Sequence, residues 1–72
     1  MKIQFLKTVA VDIETQFGEI YSKGFSRWDE LRIKEILICG SYATLITETN
    51  EYVLNVPLNT FEKIQAEKPI LL

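Results

Sequence analysis

The side chains that most often carry out chemistry in proteins are scarce in this sequence. It has no histidine, and Cys39 is its only cysteine. Histidine is the commonest general base and metal ligand, and one cysteine cannot complete a zinc site, so we expect no catalytic triad and no bound metal. We expect Cys39 to lie in the core as a small hydrophobic residue. The sequence therefore predicts a protein that is not an enzyme and uses no cofactor.

Two pairs of carboxylates are the remaining candidates for acid–base chemistry. Asp12 and Glu14 lie two residues apart in a segment with the period of a strand, which predicts that both point to the solvated face. Asp29 and Glu30 follow a turn-like segment, where acidic residues are common. We therefore interpret both pairs as surface charge.

The aromatic residues are concentrated in residues 15–30, which also hold two of the three glycines. This segment follows no sustained period and predicts a long structured loop, and loops of this length often bind something. Four aromatic side chains form the candidate protein-contact patch: Phe17, Tyr21, Phe25 and Trp28. In this interpretation Arg27, Asp29 and Glu30 are its polar rim. The alternative is structural, with the same aromatics folding the loop back onto the domain.

Nucleic-acid binding is the second candidate function. Four basic side chains could line one face of a small barrel: Lys23, Arg27, Arg32 and Lys34. On that face Tyr42 or Tyr52 would stack on a base. The chain has eight basic and ten acidic residues, a formal charge of −2, without a block of one sign. This balance disfavours general contact with a phosphate backbone.

Alternating apolar residues predict antiparallel strands. Residues 8–14 have the period of a half-buried strand, and a bulge or bend separates them from a similar stretch at residues 3–5. Three further strands, joined by tight turns into a meander, are predicted over residues 31–39, 42–49 and 52–57. A mid-course irregularity is expected in the first of them. Tyr42 and Tyr52 are expected to face each other across the second turn.

The C-terminal part predicts one short helix and a last strand. Asn59 can cap residues 60–66, and Glu62 stands where a capping box requires an acid, so we expect a short helical turn near residues 59–66. The tail at residues 68–72 ends in apolar side chains. It is expected either to add an edge strand or to remain available to a partner.

The order of these elements resembles the Src-homology-3-like small β-barrel. Residues 10–14 (Ala-Val-Asp-Ile-Glu) occupy the place of the family's alanine-leucine-tyrosine-aspartate-tyrosine motif, and residues 25–33 look like its stretch after the long loop. Residues 56–61 (Val-Pro-Leu-Asn-Thr-Phe) are similar to its proline-serine-asparagine-tyrosine segment. The resemblance implies a mainly β fold, a five-stranded antiparallel barrel with the helical turn just before the last strand.

The departures from the family's pattern fall on its ligand-binding aromatics. Val11 and Ile13 stand where the family has tyrosines, Tyr42-Ala43 replaces a pair of tryptophans, and Phe61 replaces the late tyrosine. That family holds proline-rich peptides on exposed aromatic side chains. The resemblance therefore implies the fold without the usual proline-peptide groove, because a fold does not fix a function.

Together these observations predict one small β-barrel domain over residues 1–72. We expect a cytoplasmic location for two reasons. One cysteine cannot form an intrachain disulfide, and no apolar run is as long as a membrane span, which needs about eighteen residues. The leading function is a non-catalytic binding or adaptor module that contacts a protein partner through the aromatics of residues 15–30. The alternatives are a nucleic-acid-binding small barrel and a protein that acts only as a homo-oligomer.

Overall fold

The computed structural model describes residues 1–64, which form seven β-strands and one 3-10 helix. In chain order the elements are β1 (Lys2–Phe5), β2 (Val9–Glu14), β3 (Ile20–Phe25), β4 (Glu30–Cys39), β5 (Tyr42–Thr47), β6 (Tyr52–Pro57), the 3-10 helix (Leu58–Thr60) and β7 (Phe61–Ile64). Every strand pairs antiparallel with its neighbours, in the order β3-β2-β6-β5-β4-β1-β7. The prediction of a mainly β, antiparallel fold is confirmed.

The centre of the sheet is the predicted meander of β4, β5 and β6. The turn between β5 and β6 contains Asn50, whose φ of 63° lies in the left-handed region that asparagine tolerates better than most residues. The Thr47 N–H donates to the Glu51 carbonyl oxygen (2.9 Å) and closes this turn. Two tight turns therefore join the three strands where the sequence predicted them.

Two bulges decide which residues of the meander face the core. Ile33 pairs with Thr47 and Glu35 with Ile46, so Lys34 is an extra residue on β4. On β6 the extra residue lies between Val53 and Val56, next to the positive φ of Asn55. An extra residue shifts the alternation by one position. Both Val53 and Val56 can therefore point inward, although they are three residues apart.

The core lies on the concave face of the curled sheet. Its buried side chains come from every strand: Ile3, Phe5, Val11, Ile13, Phe25, Ile33, Ala43, Leu45, Val53, Val56 and Phe61. The rings of Phe5 on β1 and Phe25 on β3 stack with their centroids 4.4 Å apart and their planes 13° apart. This contact brings together two strands that have four other strands between them in the strand order.

The predicted five-stranded barrel is not what the sheet forms. The chain bends at Leu6 and Lys7, where the sequence predicted a bulge or bend, and β1 and β2 are separate strands. Two further short strands, β3 and β7, lie at the two ends of the strand order. Within residues 1–64, β3 and β7 do not pair with each other. The sheet is therefore seven-stranded and curled over its core, but not closed.

Residues 15–30, predicted as a loop, contain β3. This strand pairs with β2 over its whole length, from Val9 opposite Phe25 to Glu14 opposite Ile20. Only Phe25 of its six residues is buried, so β3 has no apolar alternation to reveal it in the sequence. The strand conformation of residues 20–25 therefore rests on backbone pairing with β2 and not on the burial of side chains.

The helix predicted near residues 59–66 is replaced by the 3-10 helix and β7. The Thr60 hydroxyl donates to the Pro57 carbonyl oxygen (2.6 Å). Asn59, the predicted N-cap, lies inside the 3-10 helix, and no side chain caps its first turn. The chain becomes extended at Phe61, because its ring packs in the core opposite Phe5. The rest of the predicted helix and the tail strand at residues 68–72 lie outside the described residues.

Candidate functional site

The turn between β3 and β4 holds Trp28 in an uncommon backbone conformation. The Asp29 N–H donates to the Ser26 carbonyl oxygen (3.0 Å), so residues 26–29 form a β-turn with Trp28 as its third residue. Trp28 has a φ of 76°, which is a glycine conformation at this position of a turn. For a bulky L-residue it costs about 1–2 kcal/mol. The turn is nevertheless fixed, since the Asp29 carboxylate accepts the Ser26 N–H (2.7 Å).

Strand β1 imposes this conformation on Trp28. The Trp28 N–H donates to the Phe5 carbonyl oxygen (2.7 Å), and the Phe5 N–H donates to the Asp29 carbonyl oxygen (2.9 Å). The Gln4 side-chain amide also donates to the Trp28 carbonyl oxygen (3.4 Å). Because Phe5 is anchored in the core, these bonds hold the turn in place.

The indole of Trp28 points out of the fold. Its residue is 55% exposed, and the Arg27 guanidinium lies over the ring at 4.4 Å from its centroid. A cation over a tryptophan face contributes about 0.5–1 kcal/mol at an exposed site. The stacking therefore orders Arg27 and Trp28 into one exposed, positively charged aromatic surface, which we call the Trp28–Arg27 surface.

The four predicted contact aromatics do not lie together. Phe25 is buried against Phe5 and is a core residue. Phe17 is 82% exposed at the turn between β2 and β3, at the opposite end of β3 from Trp28. Tyr21 is on β3, opposite Ile13. Of the predicted patch, only Trp28 and its neighbour Arg27 form one continuous surface. A binding role for this surface stays a prediction.

Tyr21 has a specific partner of its own. Its phenol lies 3.5 Å from Glu51 Oε2 and donates to it. Desolvation, followed by the negative charge and the hydrogen bond of Glu51, raises the pKa of the Tyr21 phenol above its ordinary value. Tyr21 thus links β3 to the turn between β5 and β6.

The four basic residues of the nucleic-acid alternative lie on different parts of the surface. Lys23 is on β3 over the Phe25 ring, 5.3 Å from its centroid. Arg27 belongs to the turn before β4, and Arg32 lies on β4 opposite Lys2. Lys34 donates to the Asn50 side-chain oxygen. The four side chains thus come from β3, the following turn and β4, and nucleic-acid binding stays a prediction.

The acidic pairs take part in local hydrogen bonding. The Ser22 hydroxyl donates to Asp12 Oδ1 (2.9 Å), and Asp29 closes its own turn. Glu30 lies 3.3 Å from the Lys2 ammonium in a partly exposed ion pair. Within residues 1–64 no group of three or more His, Cys, Asp or Glu side chains is arranged to hold a metal ion.

Two further expectations about single residues are wrong. Cys39 is exposed rather than buried, because the bulge at Lys34 turns the end of β4 over by one position. Tyr42 and Tyr52 do not face each other, since Tyr42 pairs with Pro57 and Tyr52 with Ile46. Tyr42 begins β5, whereas Tyr52 begins β6 and lies beside the other end of β5.

Three open clefts within residues 1–64 lie outside the Trp28–Arg27 surface. One of 180 Å³ lies between Ala10, Ser22 and Leu54, and one of 470 Å³ lies beside Tyr42 and Pro57. A third, of 370 Å³, adjoins Phe17. These linings do not bring a nucleophile and a base together.

One exposed surface was missed in the sequence. Leu37, Tyr42 and Tyr52 are all well exposed and lie on the convex side of β4, β5 and β6. The signal that could have revealed it is the absence of any charged residue in residues 36–47. Strands whose outer side faces water usually carry charged side chains there, so a pair of strands without any charged residue indicates a surface that is covered.

The comparisons with known proteins identify no relative. No family model, no curated protein and no solved structure matches the chain. Within residues 1–64 no helix has the length and apolar character needed to cross a membrane.

Proposed function

We propose that this chain is a non-catalytic protein-binding module whose anchor is the Trp28–Arg27 surface. The observation that carries the proposal is that Trp28 combines a φ of 76° with 55% exposure. Glycine would make the same turn without strain. The side chain that causes the strain is also the one that contributes little to the core. A residue that costs stability and is not needed for packing is best explained by a ligand.

Tryptophan and arginine are the side chains found most often at the energetic centres of protein interfaces. An indole offers a large apolar area with few rotatable bonds, and a guanidinium pairs with a carboxylate in a planar, two-bond geometry. We therefore expect a partner segment that places an apolar side chain on Trp28 and a carboxylate on Arg27. Phe17, Tyr21 and Phe25 have no part in this anchor, which narrows the site within residues 15–30.

We further propose that the fold is a variant of the Src-homology-3-like small β-barrel in an open form. The support is the order of elements in residues 1–64: a β2–β3 hairpin, a three-strand meander, one 3-10 turn and then the short strand β7. We also propose a cytoplasmic location, because a chain with the single Cys39 needs no oxidising compartment in order to fold.

The experiment uses Trp28 as its own probe, since it is the only tryptophan in the chain. Peptides are selected from a random library on the full chain, and each is titrated while the tryptophan fluorescence is followed. We expect selected peptides to shift the emission to shorter wavelength as the indole is covered. Trp28→Gly should weaken binding of the same peptides, measured by calorimetry, by about 30-fold or more, the size of an interface hot spot of about 2 kcal/mol.

Phe17→Ser is the matched control, because it removes an aromatic side chain that is even more exposed but lies at the other end of β3. It should leave the affinity unchanged. Peptides that bind Trp28→Gly as tightly as the parent chain would refute the proposal. Single-stranded DNA and RNA are titrated in parallel. A salt-dependent fluorescence change with nucleic acid, and none with peptides, would favour the nucleic-acid function instead.

A further inference from the structure

The convex side of the meander carries a continuous apolar surface. Because Leu45 and Val53 point into the core, their neighbours on β5 and β6 point outward. Cross-strand pairing extends this outward set to the end of β4. We call it the outer apolar face. Its exposed residues are Leu37, Cys39, Tyr42 and Tyr52, while Thr44 and Leu54 are half-buried and Ile46 is buried among them.

Three large side chains of the outer apolar face are exposed, and covering them would stabilise the molecule. Leu37 is 47%, Tyr42 51% and Tyr52 40% exposed. These are large side chains on neighbouring strands, and burying apolar surface contributes about 25 cal/mol per Å². Large contiguous apolar patches on small soluble domains mark interaction sites.

Charge distinguishes this face from the rest of the surface. Residues 36–47 and 52–61, which include all its side chains, contain no charged residue. The nearest acids lie at its margin: Glu35 opposite Ile46 on one side, and Asp12 opposite Leu54 and Glu14 opposite Tyr52 on the other. A partner that covers this face therefore needs no charge of its own.

We propose that the outer apolar face binds a second copy of this chain, sheet against sheet, about a two-fold axis that runs along β5. A two-fold contact places each patch against itself, so a patch with net charge would repel its copy. About this axis β4 of one copy lies over β6 of the other. Leu37 then meets Leu54 of the second copy, and Glu35 meets the uncharged Tyr52 of the second copy. The acidic margins therefore do not face each other.

The two strands at the ends of the sheet that residues 1–64 form, β3 and β7, do not offer an equally good route to self-association. Lys23 on β3 pairs with the buried Val11, and Lys63 on β7 pairs with the buried Ile3, so both ammonium groups project from the inner side of an edge. Inward-pointing lysines on edge strands are a common means of preventing a further strand from adding. Face-to-face packing, with about 10 Å between the sheets, avoids both edges.

This interface would leave the Trp28–Arg27 surface free. Trp28 precedes β4 and Leu37 is near its end, so the two sites are about 30 Å apart at about 3.3 Å per residue. The dimer would present two copies of the proposed anchor. The inference does not depend on the proposed function, because it concerns a separate surface and is tested without a ligand.

The test is sedimentation velocity of the full chain from low micromolar to near-millimolar concentration. We expect a reversible monomer–dimer equilibrium. Tyr42→Lys places two ammonium groups on the axis and should weaken dimerisation by about 100-fold, which corresponds to about 2.8 kcal/mol. Phe17→Lys is the matched control, since it makes the same change at a more exposed aromatic residue outside the face. It should dimerise as the parent chain does.

Leu37→Lys is the second variant. Because Leu37 lies within β4, a loss of dimerisation in this variant cannot be caused by a change in the turn before Tyr42. Amide spectra of both variants at low concentration should match that of the parent chain, because both positions are exposed. A parent chain that stays monomeric at every concentration would overturn the inference. So would a dimer that persists unchanged in correctly folded Tyr42→Lys and Leu37→Lys.

Discussion

At the scale of the single residue, Trp28 combines a left-handed backbone with an indole that is more exposed than buried. The sequence placed Trp28 among the binding candidates because it lies in an aromatic segment without a period. It could not predict the strain, because the positive φ comes from backbone bonds to Phe5, more than twenty positions away in the chain. The conformational preferences of residues 26–29 alone give no information about such a contact with a distant strand.

The orientations of Leu37 and Cys39 show the same limit at another site. The sequence predicted a core position for Cys39, and counting alternate residues along β4 gives Leu37 the same orientation. One extra residue at Lys34 reverses every position after it, so Ile36 packs inward while Leu37 and Cys39 face solvent. An irregularity in β4 was predicted, but its position could not be determined from composition.

Tyr21 provides a residue-scale prediction about pH. Glu51→Gln removes the carboxylate charge and should lower the pKa of the Tyr21 phenol toward its ordinary value of 10.0. Because the folded-state pKa lies above the unfolded one, this interaction stabilises the fold below the unfolded pKa. The contribution is lost as the pH rises through the folded pKa. Titration of the Tyr21 ring signals by NMR measures the shift. Glu62→Gln, on β7, should leave this pKa unchanged, and an equal effect of both variants would contradict the assignment.

At the scale of the element, the strands that bury alternate side chains could be predicted and the others could not. β2 and the three meander strands follow from the apolar period. β3 exposes almost all its residues and left no such signal, whereas β7 was hidden by a capping pattern at Asn59 and Glu62. Burial of Phe61 outweighs that pattern, because a core aromatic contributes more free energy than a helix cap.

The β2–β3 hairpin depends on its turn, which gives the element-scale prediction. Gly18 has a φ of 85°, and a Cβ there would meet no atom within 4 Å. Gly18→Ala should therefore destabilise the hairpin by about 1 kcal/mol through backbone strain alone. Faster amide hydrogen exchange in β3, together with the urea unfolding midpoint, measures the effect.

Gly24→Ala is the control for this prediction. Its added Cβ also meets no atom within 4 Å, and Gly24 has no positive φ. It should leave stability unchanged or raise it by about 0.5 kcal/mol, because alanine has less conformational freedom to lose. Equal destabilisation by both variants would show that space, rather than the backbone angle, limits the hairpin.

At the scale of the whole molecule, the curl of the sheet depends on the stacking of Phe5 on Phe25. Phe5 is fully buried, and it joins β1 to the far strand β3. Phe5→Ala should lower the free energy of unfolding by about 3–5 kcal/mol, a large part of the stability of a small domain. Urea denaturation measures it.

Phe17→Ala serves as the comparison, because the same substitution at an exposed turn residue should change the stability by no more than about 0.5 kcal/mol. A small loss in Phe5→Ala would mean that the two ends of the sheet are held together by other contacts. The antiparallel β class of the molecule could be predicted from sequence. Its open, curled form could not, since it depends on which distant aromatics meet.

We propose that the Trp28 side chain serves a ligand and not the fold. The most direct test is the free energy of unfolding of Trp28→Gly against the parent chain, from urea denaturation. We predict no loss and a gain of up to about 1 kcal/mol, since relief of the left-handed strain outweighs the lost stacking with Arg27 and the added freedom of glycine. A loss of more than about 1.5 kcal/mol would refute this role, because it would make Trp28 a structural residue of the turn.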